Sequence, residues 1–199
     1  DPDRHDCLFP TPPFEAMLTP IPDGGGERVL KNLRLRADGR TIPLTALTAA
    51  DLGSWYKKQS APLRRWVGAT GFTAKPGQVS LVAAANGKLD RVVVGLGTGE
   101  TIWDWATIAD RLPDGRYRIE GRMTAAAANA AALGWALAAY RFHRYRRGEE
   151  MKADLVWPRA CNRDAVKSAA EATYLVRDLI NTPASDMGPG ELATATRRM

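Results

Sequence analysis

The sequence contains few of the residues that form metal centres or disulfide frameworks. It has two cysteines, Cys7 and Cys161, and two histidines, His5 and His143. The cysteines lie far apart without a Cys-x-x-Cys pair, and the histidines are not at metal-ligand spacing. These absences argue against a zinc site and a disulfide scaffold, and they are typical of a protein of the reducing cytoplasm.

Catalytic motifs and long hydrophobic runs are absent as well. The sequence has no H-E-x-x-H, no G-x-S-x-G and no cluster of acidic residues spaced to hold two metal ions. The longest apolar run, residues 125–140, is mostly alanine, includes Asn129 and falls short of the roughly 20 strongly apolar residues of a membrane span. We therefore expect no catalytic, cofactor-binding or metal-binding residue and no membrane segment in this chain.

What the sequence does contain is the composition of a globular protein with a basic surface. Hydrophobic residues make up 45% of the 199 residues and charged residues 25%, which suffices for one core and the beginning of a second. The formal charge of +6 permits an anionic partner such as nucleic acid. Such a balance is nevertheless more often a solvated basic surface.

The densest basic segment, residues 141–147, combines arginines with Phe142 and Tyr145, a pattern that suits stacking on bases. It follows a predicted helix, and cations are favoured at a helix C-terminus whatever the function. We therefore prefer a structural role for the segment. The candidates for a DNA contact are Arg141, Arg144, Arg146 and Arg147.

Hydrophobic periodicity predicts alternating strands and helices, and so an α/β fold in which helices flank a mixed sheet. The Asn86-Gly87 turn between two apolar runs predicts an antiparallel hairpin, and Thr48 with Asp51 predicts a helix cap. Residues 1–28, rich in proline and glycine, predict an irregular lead-in. The predicted strands span residues 14–18, 41–47, 78–85, 89–97, 116–121 and 153–158, and the predicted helices start at Thr48, span residues 102–112, 123–147 and 164–180, and resume at Pro189.

One glycine-rich stretch, GLGTGE at residues 95–100, follows an apolar strand and precedes a helix. Backbone N–H groups at such a position can hold a phosphate group. The stretch matches neither the G-x-G-x-x-G pattern nor a P-loop, and glycine is also the usual residue of tight turns. A simple turn between strand and helix is the preferred interpretation.

The end of the helix at 164–180 predicts a boundary in the chain. Pro183 disfavours the α conformation at Thr182, so the helix should end near Asn181. Pro189 then suits the first turn of a new helix. The helix should pack on the preceding domain through an apolar stripe made of Ala169, Ala172, Val176 and Leu179.

The segment RDLINTPASDMGPGELA, residues 177–193, resembles the interdomain junction of the M17 leucyl aminopeptidases. The resemblance extends upstream to residues 133–146 and 92–121, and together it covers roughly residues 42–191. Ser185 and Gly190 differ from the residues that are common in the family, and these differences affect turn and helix propensity rather than chemistry.

The resemblance implies a macro-domain-like N-terminal α/β domain at residues 1–160, a linking helix at 161–182 and the start of a C-terminal metallopeptidase domain at 183–199. It further implies that the parent protein is a cytoplasmic, hexameric hydrolase that removes N-terminal amino acids from peptides with two divalent metal ions, manganese or zinc. The catalytic hallmark segments of the family do not occur in this sequence, so we expect this part to serve assembly and substrate access and to bind no metal. The alternative is a non-catalytic, macro-like module that binds a nucleotide or DNA.

Overall fold

The computed structural model of the protein describes residues 30–36, 40–97, 101–145 and 148–197, and the strand predicted at 14–18 lies outside them. Within these residues the chain forms the mixed α/β fold predicted from its sequence. Two short elements, β1 and α2, were not predicted. The strands are β1 (Leu33–Arg34), β2 (Ile42–Thr48), β3 (Val79–Ala83), β4 (Leu89–Gly97), β5 (Gly115–Ile119) and β6 (Ala153–Val156), and the helices are α1 (Ala49–Lys58), α2 (Ala61–Ala69), α3 (Ile102–Arg111), α4 (Ala125–Ala138), α5 (Arg163–Asn181) and α6 (Pro189–Arg197).

The strands form one six-stranded sheet in the order β1-β6-β5-β2-β4-β3. All neighbouring strands run parallel except β3 and β4, which form the predicted antiparallel hairpin. Gly87 takes a φ of 76° in the connecting turn, a conformation that glycine adopts readily and that the Asn-Gly pair anticipates. The hairpin therefore adds an antiparallel edge to an otherwise parallel sheet.

Helices cover the sheet on both faces, and strand β4 contributes to both cores. Its alternate side chains point to opposite faces, as the pleat requires. Val92 and Val94 pack in the larger core with residues of α3, α4 and α5, whereas Val93 packs in the smaller core with residues of α1 and α2. All three valines are fully buried, so β4 reads as a continuous apolar run rather than an alternating one.

Helix α4 lies very close to helix α3 at Gly134. A Cβ atom placed on Gly134 would lie 2.4 Å from the carbonyl oxygen of Ile102 and 2.8 Å from Cβ of Trp105. The next residue, Trp135, is fully buried and donates from Nε1 to the carbonyl oxygen of Ala153 in β6 at 2.9 Å. Small residues along α4 thus allow one helix to contact both its neighbour helix and the sheet.

Helix α4 ends earlier than predicted, at Ala138 rather than at residue 147. Three side chains donate to its last carbonyl oxygens: Tyr174 Oη to Ala136 O at 2.7 Å, Arg177 Nη1 to Leu137 O at 3.1 Å and Arg141 Nη1 to Ala138 O at 2.8 Å. These contacts satisfy carbonyls that a longer helix would have paired internally. Neither α4 nor any other helix of the described residues is long and apolar enough to cross a membrane.

Helix α5 packs on α4 as predicted, but through a different face. The predicted stripe is wrong: Ala172 and Val176 are exposed. The side chains that are buried are Val166, Ala170 and Tyr174, which recur at intervals of one helical turn. Tyr174 determines this orientation, because its ring needs the core and its hydroxyl bonds to α4.

Strand β3 forms one edge of the sheet and is partly covered by a tryptophan. Leu81 in β3 is 42% exposed, and Trp66 in α2 is 47% exposed. The indole Nε1 of Trp66 donates to the carbonyl oxygen of Leu81 at 2.8 Å. The side chain therefore occupies a backbone acceptor of the edge strand.

Candidate functional site

The glycine-rich end of β4 does not present free backbone donors at its first two glycines. The N–H of Gly95 donates to Gln78 O at 2.8 Å, and the N–H of Gly97 donates to Ala74 O at 3.2 Å. A Cβ atom on Gly95 would lie 2.2 Å from the carbonyl oxygen of Lys75. These two glycines are required because the chain before β3 passes directly over them, which is a structural role. Residues 98–100 of the predicted GLGTGE stretch lie outside the described residues.

Arg141 is engaged within the protein. Its guanidinium donates to the carbonyl oxygens of Ala138, Tyr140 and Glu149 and pairs with Asp110 at 3.1 Å. These bonds hold the segment after α4 against α3 and against residues 149–151, which precede β6. It uses the planar fork of the guanidinium for internal bonds rather than for a phosphate.

Arg144 and Tyr145 reach the turn between α5 and α6. The hydroxyl of Tyr145 donates to Oδ2 of Asp186 at 2.5 Å, and Nη2 of Arg144 lies 3.8 Å from the same oxygen. The guanidinium of Arg144 also lies 5.7 Å from the centre of the Tyr145 ring. Partial burial and the bond to Asp186 raise the pKa of Tyr145, so the phenol stays protonated and donates.

Tyr140 makes a second set of contacts, with the last turns of α5. Its hydroxyl donates to Oδ1 of Asp178 at 2.8 Å and accepts from Nδ2 of Asn181 at 3.0 Å. Its ring meets the ring of Tyr174 edge-on, with centroids 4.9 Å apart, and the guanidinium of Arg177 lies 5.2 Å from the ring centre. The basic segment and the junction thus form one structural unit.

The structure therefore brings Arg141 and Arg144 into internal contacts, while Arg146 and Arg147 lie outside the described residues. A DNA contact of these arginines stays a prediction. Sequence reasoning missed the partners Asp178 and Asp186 and the role of the two tyrosine hydroxyls. The available signal was the pair of carboxylates on either side of Pro183, opposite a segment rich in arginine and tyrosine.

Helix α5 carries a second apolar stripe, which is exposed. Val176 is 51% exposed and Ile180, one turn further, is 76% exposed. Ala172 lies on the same stripe, roughly a third of a turn around the helix from the buried face. Leu192 on α6 is also exposed, at 48%. An apolar stripe of this kind on a helix is typical of a surface that another part of a protein covers.

The described residues contain no group of three histidine, cysteine, aspartate or glutamate side chains that could hold a metal ion. Cys161 is a free cysteine, and burial raises the pKa of its thiol despite the opposing charge of Arg163. A thiol with a raised pKa is a weak nucleophile. Neither a metal centre nor an activated cysteine is therefore assigned to this part of the chain.

Comparison with known proteins identifies relatives of this fold. The family model described as the M17 aminopeptidase N-terminal domain matches residues 42–158. The cytosol aminopeptidase from Coxiella burnetii, solved at 1.8 Å, is 32% identical with a TM-score of 0.76 over 84% of this chain and 37% of that chain. No curated protein matches the chain.

The bottromycin maturation enzyme BotP is a second relative of known structure. Its complex with Mn is 28% identical with a TM-score of 0.57 over 80% of this chain and 36% of that chain. A further structure of BotP gives the same identity and TM-score over 79% of this chain. The chain thus spans little more than a third of the length of these solved chains.

Proposed function

The chain belongs to the family of M17 aminopeptidase N-terminal domains, and on that premise we propose that it is the N-terminal part of a leucyl-type metalloaminopeptidase. The parent protein is then a hydrolase that removes N-terminal amino acids from peptides. Residues 1–160 form its N-terminal domain, residues 161–182 the linking helix and residues 183–199 the beginning of the catalytic domain.

The observation that carries this proposal is the exposed apolar stripe of α5, with Val176 and Ile180, beside a family match that ends at residue 158. The stripe lies beyond the matched residues, on a helix whose buried face packs on α4. The solved relatives have most of their length outside the region that this chain covers. We infer that the catalytic domain of the parent covers the stripe.

The metal ions of the parent do not fit the residues described here, because these residues offer no group of three ligands. Two divalent ions need several carboxylate or similar ligands converging on one place. The proposal therefore assigns the metal pair, manganese or zinc, to the remainder of the parent. The Mn complex of BotP supports the use of a divalent metal in a relative with this domain.

The N-terminal domain is proposed to serve assembly, as part of a homo-hexamer, and to shape access of peptides to the catalytic domain. A cytoplasmic location follows the name of the Coxiella relative, a cytosol aminopeptidase. Both the assembly and the location can be measured on the native protein by its mass in solution and by cell fractionation.

The test compares the native protein with the 199-residue chain. Antibodies raised against the recombinant chain should isolate from its source a longer polypeptide that hydrolyses leucine p-nitroanilide with Mn²⁺ or Zn²⁺ and loses this activity with EDTA. The recombinant chain itself should show no turnover with either metal. A native polypeptide of this same length without peptidase activity would contradict the proposal, as would metal-dependent turnover that stays with the pure recombinant chain.

A variant of the exposed stripe tests the domain contact. Replacing Val176 and Ile180 by Asp should leave the 199-residue chain folded, because both side chains face solvent. The same change should lower the activity and thermal stability of the parent, because it would place two charges in an apolar contact. The matched control replaces exposed Lys167 and half-buried Glu171, an ion pair on the same helix, by Gln, and it should affect neither protein. If the two pairs of substitutions have the same effect on the activity and thermal stability of the parent, a contact at this stripe is refuted.

A further inference from the structure

The segment after α4 touches the α5–α6 junction at two separate places. Tyr140 bonds to Asp178 and Asn181 in the last turn of α5, before Pro183. Tyr145 bonds to Asp186, after Pro183. The two tyrosines lie five positions apart in the segment after α4. Their contacts hold the chain both before and after the bend at Pro183.

Local hydrogen bonds define the bend itself. Thr182 Oγ1 donates to Asp178 O at 2.6 Å, and the N–H of Asp186 donates to Pro183 O at 2.9 Å. Such bonds define the turn but leave the direction of α6 sensitive to small dihedral changes at residues 184–188. A helix of nine residues is marginal on its own, and α6 buries a single residue, Ala195, so its placement depends on contacts with the rest of the chain.

We propose that residues 140–145 act as a clasp that fixes the direction in which the chain leaves α5 and enters α6. Its positioning residues are Tyr140 and Tyr145, with Asp178 and Asp186 as their acceptors. One contact alone would let α6 swivel about the bend, whereas contacts on both sides fix the chain up to Asp186, three residues before α6 begins. The function of the aromatic and basic segment is then mechanical.

The charges of the segment support this role. Asp186 faces Arg144 at 3.8 Å as well as the Tyr145 hydroxyl, and its side chain is 21% exposed. Hydrogen bonds that involve a carboxylate are stronger than neutral ones, and partial burial protects them from screening by salt. The guanidinium of Arg177 faces the Tyr140 ring from the α5 side. Each tyrosine thus contacts a cation and a carboxylate: Arg177 and Asp178, both on α5, for Tyr140, and Arg144 and Asp186, from either side of the contact, for Tyr145.

In the parent protein the clasp would set the pose of the catalytic domain relative to the sheet, and this consequence rests on the proposed function. The clasp itself does not, because it lies entirely within the described residues. It can therefore be tested on the 199-residue chain without metal, substrate or a second domain.

The experiment measures the distance between spin labels on α5 and α6. Asp164 and Thr194, both exposed, are replaced by cysteine and labelled in a chain whose Cys7 and Cys161 are replaced by serine. Electron–electron double resonance should give one narrow distance distribution for this chain. The variants Tyr145→Phe and Asp186→Asn should each broaden or shift it, because each weakens the bond on the far side of the bend.

Amide hydrogen exchange gives a second readout of the same variants. Loss of one net hydrogen bond should speed exchange in residues 191–197 about fivefold, while amides of β4 keep their protection. Tyr145 is 54% exposed, so its replacement by Phe leaves the core intact. The matched control is Tyr56→Phe, which removes the same hydroxyl on the other side of the sheet and should change neither readout.

Unchanged distance distributions and exchange rates in both clasp variants would overturn the clasp. That result is separate from the peptidase test. If the parent is an active peptidase but the clasp variants change neither readout, only the clasp is refuted. If the clasp variants change both readouts but the parent has no peptidase activity, only the proposed function is refuted.

Discussion

Replacing Gly134 by Ala tests the close contact between α3 and α4. In an exposed helix this change is stabilising, because alanine is favoured over glycine by about 1 kcal/mol. At Gly134 the new methyl group would lie 2.4 Å from Ile102 O, 2.8 Å from Trp105 Cβ and 3.1 Å from Ala106 N. Ordinary contacts of such atoms lie near 3.5–4 Å. The helices must therefore separate by about 1 Å.

The size of the effect follows from what resists this separation. The nearest atom is a backbone oxygen, which cannot move aside as a flexible side chain would. Trp105 and Trp135 are both fully buried, and Trp135 is bonded to β6, so α4 cannot shift freely. Overpacking of this kind costs about 1–3 kcal/mol. After the helical gain of alanine, we expect a net loss of about 0–2 kcal/mol in the free energy of unfolding, and no gain.

The chain supplies its own matched control. Gly53 in α1 is also helical, and a Cβ atom there would meet nothing within 4 Å. Gly53→Ala should therefore raise the free energy of unfolding by about 0.5–1 kcal/mol. Urea unfolding followed by tryptophan fluorescence measures both variants. The reasoning fails if Gly134→Ala stabilises the protein as Gly53→Ala does.

Three further changes have defined outcomes. Burial, with the nearby charge of Asp114, raises the pKa of Tyr117 to about 12 from 10.0, so the protonated phenol stabilises the folded state below pH 10 and this contribution is lost as the pH rises through 12. Between pH 10 and 12 the free energy of unfolding of the wild-type protein should fall by roughly 2–3 kcal/mol more than that of the Tyr117→Phe variant, as measured by urea unfolding. Equal losses in the two proteins would show that the phenol is not responsible. Gly95→Ala should lower the midpoint of thermal unfolding by several degrees, because the methyl group would overlap a backbone carbonyl, and an unchanged midpoint in calorimetry would contradict the overlap. The DNA hypothesis predicts that replacing Arg146 and Arg147 by Gln flattens the salt dependence of DNA binding by about one unit per lost phosphate contact, and identical gel-shift salt series would eliminate it.

Local patterns in the sequence predicted most of the elements because their causes are local. The N-cap of α1 is an example: the N–H of Asp51 donates to Oγ1 of Thr48, as the sequence indicates. The hairpin of β3 and β4 likewise depends on the Asn86-Gly87 turn between apolar strands. Helix α2 was missed although Pro62 lies in its first turn, a start signal that was available.

The errors arose where distant residues decide the structure. No glycine or proline marks the end of α4, where the side chains of Tyr174, Arg177 and Arg141 donate to the last carbonyl oxygens of the helix. Two of these partners lie about 40 positions away and belong to another helix. The sequence pattern therefore extended α4 too far and, for the same reason, placed the arginines after Tyr140 on a helix end.

The face of α5 was mispredicted because the helix has two apolar stripes. One contains Val166, Ala170 and Tyr174 and is buried; the other contains Val176 and Ile180 and is exposed. Periodicity alone does not distinguish a stripe that packs within the domain from one that another domain covers. The candidate contacts of the basic segment depend in the same way on residues that only the fold brings together.

The tryptophan at the sheet edge limits how copies of this domain can associate. An exposed edge strand is ordinarily open to a strand from another chain, which would extend the sheet across two molecules. At β3 the carbonyl of Leu81 already accepts from Trp66, so an incoming strand would have to displace a large side chain. The β3 edge is therefore less open to a strand from another copy of the chain than an uncovered edge would be.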